Sequence, residues 1–368
     1  MWTGARMKLA ATSAVVAAFT LGACGSDDGG SEDRSADTAA PQEQADLRAI
    51  KSFLLDHTEE LSGEVRELRA GAERYYAMAK AADFDYGQLL SERRSQVQAV
   101  IKQGQERFAA ANPAYEQMEG VVAGVPSLAD FDVTIDAGGD ASDPENAVAF
   151  SIRTPDGRTF KQPGNLNFLI ETSLFGTEPK FRAKGVRPDL DGDGRVEFGE
   201  ALPDANFYVA AAREFERTSR ELEEAGREWQ PTMQDALTAL VVMTPTMSEY
   251  FEAWKNSRFV AGERATEKAF VVASRLQDIT DILSGLLLVY DNVRPQIAEA
   301  DSQQARQTGS SLKRLHHFAA RLRDAERDGR RFTAQDADTL GSDAQDQAEA
   351  IAGQISQAAG RMNIELET

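Results

Sequence analysis

The sequence predicts a mainly α-helical protein: a helical bundle, or two bundles, with a small insertion that holds a β-hairpin and a calcium loop. Three observations predict this class. Apolar residues recur at three- and four-residue steps over most of the chain after residue 46. This spacing is lost between residues 125 and 203, where glycine and proline become frequent. The long helical segments are joined by short connections, which favours packing side by side in a bundle.

The first 23 residues have the layout of a bacterial export signal. Arg6 and Lys8 give a positive start, and a stretch rich in alanine and valine follows from residue 9 to residue 20. The next four residues, Leu21 to Cys24, read LGAC and resemble the lipobox of bacterial lipoproteins. The resemblance implies that residues 1–23 are a removed signal peptide and that Cys24, the only cysteine, carries the lipid, including palmitate, at the mature N-terminus.

An ordinary secretory signal or an N-terminal membrane helix is the alternative. The apolar stretch is shorter than the roughly 20 residues that a spanning helix needs. After Cys24, residues 24–45 contain no large apolar residue and many glycine, serine and acidic residues, which indicates a flexible acidic tether. We therefore expect an envelope protein that is lipid-anchored to a membrane and faces the periplasm or the cell exterior.

Residues 46–124 are predicted to form the N-terminal helices. Helical spacing runs from Leu47 to Ala72, and a second helix covers Tyr86 to Ala111. We expect this second helix to break at Pro113, because proline lacks the amide hydrogen that a helix interior uses. A short helix then continues to Val122.

Residues 125–203 are predicted to form the mixed insertion. Two short runs, 148–154 and 158–161, flank the sequence Pro-Asp-Gly and predict a β-hairpin around a tight turn. Residues 131–135 are interpreted as a further short strand, and residues 165–175 as a short helix.

Residues 204–368 are predicted to form a helical region that packs with residues 46–124. Asp204 is a typical N-cap for its first helix. Pro245 and Pro295 are expected to end helices. The predicted helices cover 205–227, 232–244, 246–255, 264–293, 297–328 and 334–361.

One motif predicts a metal site. Residues 189–200 read DLDGDGRVEFGE and resemble the calcium loop of EF-hand proteins, in which oxygen ligands come from positions 1, 3, 5, 7, 9 and 12. The resemblance places a Ca²⁺ cofactor on the following residues: Asp189, Asp191, Asp193, Arg195 through its backbone carbonyl, Glu197 and Glu200. Prolines crowd both flanks, so the likeness covers the loop and not the helix-loop-helix fold. We expect a structural calcium rather than a calmodulin-type switch, which needs two mobile helices.

A second, shorter pattern lies on the first predicted helix. His57 and Glu60 are spaced as H-x-x-E, with Glu64 one turn further, and could hold a transition metal. The pattern resembles the G-x-H-x-x-E signature of imelysin-like periplasmic proteins, which are all-helical, of similar length and often lipoproteins. Residue 55 is leucine where that signature has glycine. The resemblance implies a component of iron or other transition-metal uptake.

Charge and missing motifs exclude several functions. A net charge of −20 argues against nucleic acid as a partner, because phosphate contacts need clustered lysine and arginine. The sequence has no G-x-S-x-G elbow, zinc helix or phosphate loop. We expect a calcium-binding envelope lipoprotein with a structural or ligand-binding role, with an envelope protein or transporter as a possible partner. The alternatives are the uptake component and a hydrolase of envelope polymers. An enzyme is the less favoured hypothesis.

Overall fold

The computed structural model describes residues 45–367; the predicted signal peptide, Cys24 and nearly all of the tether lie outside these residues. Three long helices organise the first part of the bundle. Helix α1 (Leu47–Ala81) packs against α2 (Tyr86–Val122), and also against the later helix α5 (Ala205–Glu228). The carboxylates of Asp46 and Asp85 accept backbone N–H bonds at the starts of α1 and α2, where helical N–H groups lack partners.

The segment between α2 and α5 contains short elements. Helix α3 (Ala129–Asp132) continues into a π-helical turn (Val133–Ala137). Strands β1 (Ser151–Arg153) and β2 (Thr159–Lys161) pair antiparallel, and helix α4 (Leu166–Phe175) follows. A 3-10 turn (Pro179–Phe181) leads towards the 189–200 loop, which contains no helix. The predicted hairpin and the predicted helix at 165–175 are both confirmed.

The C-terminal part adds five helices to the described residues: α6 (Met233–Met243), α7 (Met247–Asn256), α8 (Arg258–Ala261), α9 (Arg275–Arg327) and α10 (Ala334–Arg361). Two 3-10 turns, Thr244–Thr246 and Gly262–Arg264, connect some of them. Helix α10 packs against α6, α7 and α9, and α9 also packs against α2. One continuous apolar core therefore joins both ends of the described chain. The mainly α-helical bundle with a small hairpin is confirmed.

Three predicted boundaries are wrong. Residues 131–135 are helical rather than a strand, with Ile135 buried and Val133 40% exposed. Helix α2 continues through Pro113, because packing against α1 and α9 holds both sides of the proline.

The 264–293 prediction also differs from the structure. Residues 265–274 are irregular, and α9 begins only at Arg275 after the N-cap Ser274. The helix then passes Pro295 and leaves helical geometry at Asp301. The Asp301 carboxylate accepts the N–H of Gln304, so it caps the second half of the helix, eight residues after the predicted end at residue 293.

Among residues 45–367, no helix combines the length and apolar character that crossing a bilayer requires. The division at residues 124 and 203 stays a prediction.

Candidate functional site

A group of buried carboxylates lies where α2, α3 and α9 meet. We call Glu116, Glu119, Asp132, Asp136 and Asp278 the acidic cluster. Each of these residues is at most 8% exposed, although acidic side chains are rarely buried without a partner. Only one cation, Arg275, forms ion pairs with them among the described residues. Five carboxyl groups thus share one guanidinium in a space that water barely reaches.

Two glycines bring α2 and α9 close enough to form this cluster. A Cβ atom on Gly285 of α9 would overlap the backbone carbonyl oxygen of Gln117 on α2. A Cβ atom on Gly120 would lie 2.7 Å from the Leu286 side chain. Because neither glycine has a Cβ, the two helices approach closely, next to the turns that carry Glu116 and Asp278.

Three members of the cluster converge on one point. Glu116, Glu119 and Asp136 each offer a carboxylate oxygen, and these oxygens lie within 4.8 Å of one another. Within residues 45–367, Oε1 of Glu116 and Oε2 of Glu119 are buried and have no hydrogen-bond partner. A buried acceptor without a donor costs about 1–3 kcal/mol, so these oxygens call for a bound cation or for a proton that the two carboxyl groups share.

Four of the remaining oxygens of the acidic cluster are fixed by polar neighbours. Four protein donors hold them: Tyr250 Oη to Glu119 Oε1 at 2.8 Å, Tyr115 Oη to Asp132 Oδ1 at 2.7 Å, Asn167 Nδ2 to Asp136 Oδ1 at 3.0 Å, and Asn112 Nδ2 to Asp278 Oδ1 at 3.1 Å. These donors come from α2, α4 and α7. Elements from three parts of the chain therefore orient the carboxylates.

Arg275 contacts three carboxylates at once. Its guanidinium nitrogens lie 3.1 Å from Asp278 Oδ2, 3.4 Å from Glu116 Oε2 and 3.4 Å from Asp136 Oδ2. The guanidinium carbon also lies 3.9 Å from the ring centroid of Phe270 and 4.7 Å from that of Tyr250. These distances are within the range of cation–π attraction.

Burial shifts the protonation of the acidic cluster. Desolvation, reinforced by Asp136 and Asp132, raises the pKa of Glu119 to about 8. Burial likewise raises the pKa of Asp132 to about 7, against the lowering effect of the Tyr115 hydrogen bond. The pKa of Asp278 rises to about 6 through burial, although Arg275 lowers it, and burial also raises the pKa of Glu116. The cluster therefore holds protons at neutral pH, which a cation with sufficient affinity would displace.

A cleft of about 610 Å³ opens onto the cluster, and we call it the acidic cleft. Glu119, Asp132, Asp136 and Arg275 line its inner end. Its other charged lining residues are Asp140, Glu171, Glu178, Glu249, Glu267 and Lys268. Carboxylates outnumber cations in this lining, which suits a positively charged ligand.

One wall of the acidic cleft is the segment 262–274, a 3-10 turn followed by irregular backbone, which we call the strap. The buried carboxylate of Glu171 on α4 accepts the backbone N–H groups of three consecutive strap residues, Phe270, Val271 and Val272, at 2.7–3.0 Å. Burial raises the pKa of Glu171 to about 7, although these three hydrogen bonds lower it. Phe270 has a left-handed backbone with φ of +52°, a conformation that non-glycine residues adopt only at some cost.

A second cleft, of about 1070 Å³, lies near the 189–200 loop, and its lining mixes apolar residues with charged residues of both signs. Val196 and Phe198 of that loop line it and are 42% and 49% exposed. Phe198 stacks on Phe175, and the Arg258 guanidinium lies 3.3 Å from the Phe198 ring centroid.

The predicted calcium loop brings part of its ligand set together. Asp189, Asp191 and Asp193 offer oxygens within 4.8 Å of one another. Asp189 also accepts the N–H of Gly194, at 3.2 Å. The Arg94 guanidinium lies 3.6 Å from the Asp189 carboxylate and balances part of its charge.

The other predicted ligands of this loop are placed differently. Glu200 is outside the converging group: its oxygens accept N–H groups of Leu190, Asp191 and Glu197 at 2.9–3.0 Å. Carboxylate oxygens have two lone pairs each, so these bonds leave acceptor capacity on Glu200. Arg195 and Glu197 are exposed. Calcium binding at the loop stays a prediction.

The residues of the H-x-x-E pattern do not converge. The ring nitrogens of His57 lie 2.8 Å from the Phe53 carbonyl oxygen and 3.1 Å from Gln117 Oε1. Glu60 is exposed, and Glu64 pairs with Arg107 at 2.9 Å. Within the described chain, the two groups of possible metal ligands that converge contain no histidine. Cys24, the predicted lipidation site, lies outside the described residues.

No sequence motif singles out the acidic cluster. With 60 acidic residues in the chain, composition gives no reason to choose five of them. A usable signal was the pair Glu116 and Glu119, which share a helix with buried Tyr115, Met118 and Val122. Acidic residues among buried apolar ones indicate a buried site, whereas acidic residues on a solvated face do not.

One matching solved structure is that of an iron-regulated protein A precursor from Parabacteroides distasonis, at 10% identity and a TM-score of 0.41, covering 88% of this chain and 97% of that one. No curated protein matches the chain. A family model described as Imelysin matches residues 54–358 of the 368, which includes every residue of the acidic cluster and His57. The chain therefore belongs to the imelysin family.

Proposed function

We propose that this protein binds a metal cation in the acidic cluster and serves as the cation-binding component of metal uptake at the cell envelope. The observation that carries the proposal is the convergence of Glu116, Glu119 and Asp136 with two buried oxygens that lack donors. Family membership supports the uptake role, because imelysin-like proteins include components of iron uptake.

The donor set defines the kind of ion. All the converging atoms are carboxylate oxygens, which are hard ligands. Such ligands suit Mn²⁺, Ca²⁺ and the harder forms of iron better than copper(I), which prefers sulfur. The ligand set therefore differs from the imidazole-containing site that the H-x-x-E pattern predicts.

The acidic cleft supports the same proposal through its charge. Asp140 and Glu267, which are only partly buried, line it together with the buried carboxylates. A cleft lined by one sign of charge raises the local concentration of oppositely charged ions and speeds their capture. A lipid on Cys24 would keep this cleft near the membrane, where a transporter could take up the ion.

Titration calorimetry with Mn²⁺, and with Fe²⁺ under anaerobic conditions, tests the proposal. We expect one ion per chain at the cluster, and a loss of more than about tenfold in affinity for Glu119→Gln, because outer-shell changes alone cost about 10–100-fold. Glu249→Gln is the matched control, since Glu249 lines the same cleft but is exposed.

Two further results decide between sites. His57→Ala should leave the metal affinity unchanged. A loss of metal affinity in this variant would assign binding to the H-x-x-E pattern. The proposal is wrong if the wild-type protein binds neither ion, or if Glu119→Gln binds as tightly as the wild type while its melting curve shows a folded protein.

A second candidate function is calcium binding by the 189–200 loop. The convergence of three aspartate oxygens favours it. Since the loop lines the second cleft through Val196 and Phe198, a bound Ca²⁺ would act structurally by fixing this wall. Its test is a melting experiment, described in the Discussion.

A further inference from the structure

The contacts of Arg275 suggest a role beyond charge neutralisation. Its distances to three carboxylates, 3.1–3.4 Å, exceed the about 2.7–2.9 Å of strong charge-assisted hydrogen bonds. Its Nε atom is buried without a partner among the described residues. The guanidinium thus sits among the carboxylates without forming the short bidentate pair that arginine makes when it is bound tightly.

The three converging carboxylates each keep one oxygen tied to the protein. Glu119 Oε1 accepts from Tyr250, and Asp136 Oδ1 accepts from Asn167. Glu116 faces Arg275 through Oε2 and leaves Oε1 without a partner. An ion that uses the unpartnered oxygens of Glu116 and Glu119 would then compete with Arg275 for one atom, Asp136 Oδ2.

Arg275 also has a contact with an aromatic ring that does not depend on the carboxylates. The Phe270 ring lies 3.9 Å from its guanidinium carbon. Glu171 holds the strained Phe270 backbone in place through the three N–H bonds of the strap. A guanidinium keeps its charge at any ordinary pH, so it can neither lose a proton nor leave the site neutral. When an ion binds, the guanidinium can therefore only give up a carboxylate contact while it keeps its contact with the Phe270 ring.

We propose that Arg275 competes with the bound cation. Its positive charge neutralises part of the negative charge of the acidic cluster and thereby sets the affinity for a divalent ion. This inference rests on the proposed function. The arriving ion takes Asp136 Oδ2 from the guanidinium, which stays on the Phe270 ring. The affinity of the cluster is therefore lower than its carboxylates alone would give, which allows release to a partner.

Mn²⁺ titration of the full chain tests this role with three variants. Arg275→Gln should bind Mn²⁺ at least about tenfold more tightly than the wild type, because the repulsion of a unit charge a few Å away is removed. Arg275→Lys keeps the charge and should stay close to the wild-type affinity. Arg258→Gln is the control, since this guanidinium also lies on a phenylalanine ring but in the second cleft.

The gain in affinity is the decisive readout, since a loss of structure alone would weaken binding. If Arg275→Gln does not fold, Phe270→Leu replaces it. Without the nearer ring, Arg275 keeps only the Tyr250 ring at 4.7 Å and relies more on the carboxylates, so Mn²⁺ affinity should fall by more than about threefold. Equal or weaker binding by folded Arg275→Gln, or unchanged binding by Phe270→Leu, overturns the inference. Absence of Mn²⁺ binding in the wild type and in every variant would instead refute the proposed function.

Discussion

The hydroxyl of Tyr250 donates a hydrogen bond of 2.8 Å to Glu119 Oε1, which joins α7 to α2 inside the protein. Both groups are buried, with 7% and 3% of their surface exposed. The bond fixes one oxygen of Glu119 and leaves the other pointing away without a donor. This pair therefore orients the carboxylate on which the proposed function depends, and it leads to the first prediction.

Tyr250→Phe should destabilise the protein by about 1–3 kcal/mol, because it leaves a buried carboxyl oxygen without a partner. Chemical denaturation of the metal-free protein measures the change. Tyr76→Phe serves as control: this tyrosine is partly buried on α1, and removal of its hydroxyl should alter stability by less than about 0.5 kcal/mol. Equal effects of the two substitutions would contradict the importance of the Tyr250 bond.

The metal-free protein should become more stable as the pH falls from about 8 to about 5. Burial raises the folded-state pKa of Glu119 to about 8 and that of Asp132 to about 7, whereas these groups titrate near 4.5 and 3.8 when unfolded. Between these values the folded state binds more protons, so unfolding releases protons and stability falls as the pH rises. Thermal melting at several pH values is the measurement.

Glu119→Gln provides the comparison for this pH dependence. Its amide does not titrate, so the melting temperature should change less between pH 5 and pH 8 than it does in the wild type. His316 contributes the opposite slope below pH 6.5, because burial lowers its pKa, and this contribution is the same in both proteins. A variant with the slope of the wild type would show that Glu119 does not titrate in this window.

Gly285→Ala should separate α9 from α2 and destabilise the protein by about 1–3 kcal/mol or more, because the added methyl group overlaps the Gln117 carbonyl oxygen. Gly353→Ala on α10 is the matched control. Its Cβ would meet nothing within 4 Å, so it should stabilise the protein by roughly 0.5–1 kcal/mol. Denaturation curves that shift in the same direction for both variants would contradict the close approach of the two helices.

Calcium should raise the melting temperature if the 189–200 loop binds it, because the ion binds the folded state alone. Extracellular sites often have dissociation constants of about 10⁻⁴–10⁻³ M, so a titration to about 10 mM covers the range. Asp191→Asn should remove most of the shift, whereas Glu145→Gln, an exposed acid in the mixed segment, should keep it. Melting curves that respond to neither calcium nor a chelator would end this prediction.

Glu171→Gln should loosen the strap. An amide accepts through one oxygen, whereas the Glu171 carboxylate uses both of its oxygens to hold three N–H groups. Hydrogen exchange at the amides of Phe270, Val271 and Val272 should become faster by at least about tenfold. Glu263→Gln, on the exposed side of the strap, should leave this exchange unchanged. Unaltered protection in Glu171→Gln would show that other contacts hold the strap.

Local signals in the sequence were sufficient for most of the helices. Asp204 caps α5 as its side chain predicts, and α10 covers residues 334–361 as its spacing indicates. The errors occur where packing overrides local preference. Pro113 does not end α2 because neighbouring helices hold it, and α9 continues past Pro295 to a break at Asp301.

The acidic cluster could not be predicted from local patterns. Its members are separated by up to 162 residues, from Glu116 to Asp278, and none forms a contiguous motif. The calcium loop, in contrast, has its acids within twelve residues, so spacing alone indicated it. The approach of α2 to α9 at Gly285 brings Glu116 and Glu119 close to Asp278, and α3 with its π-helical turn adds Asp132 and Asp136.

Glu267 and Lys268 of the strap line the acidic cleft on one side and the second cleft on the other. The segment is a shared partition, so labels, tags or substitutions placed on it would disturb both compartments. Experiments that aim to assign an effect to one cleft should leave the strap intact and modify other lining residues instead. These are α3 and Asn167 for the acidic cleft, and the 189–200 loop around Val196 for the second cleft.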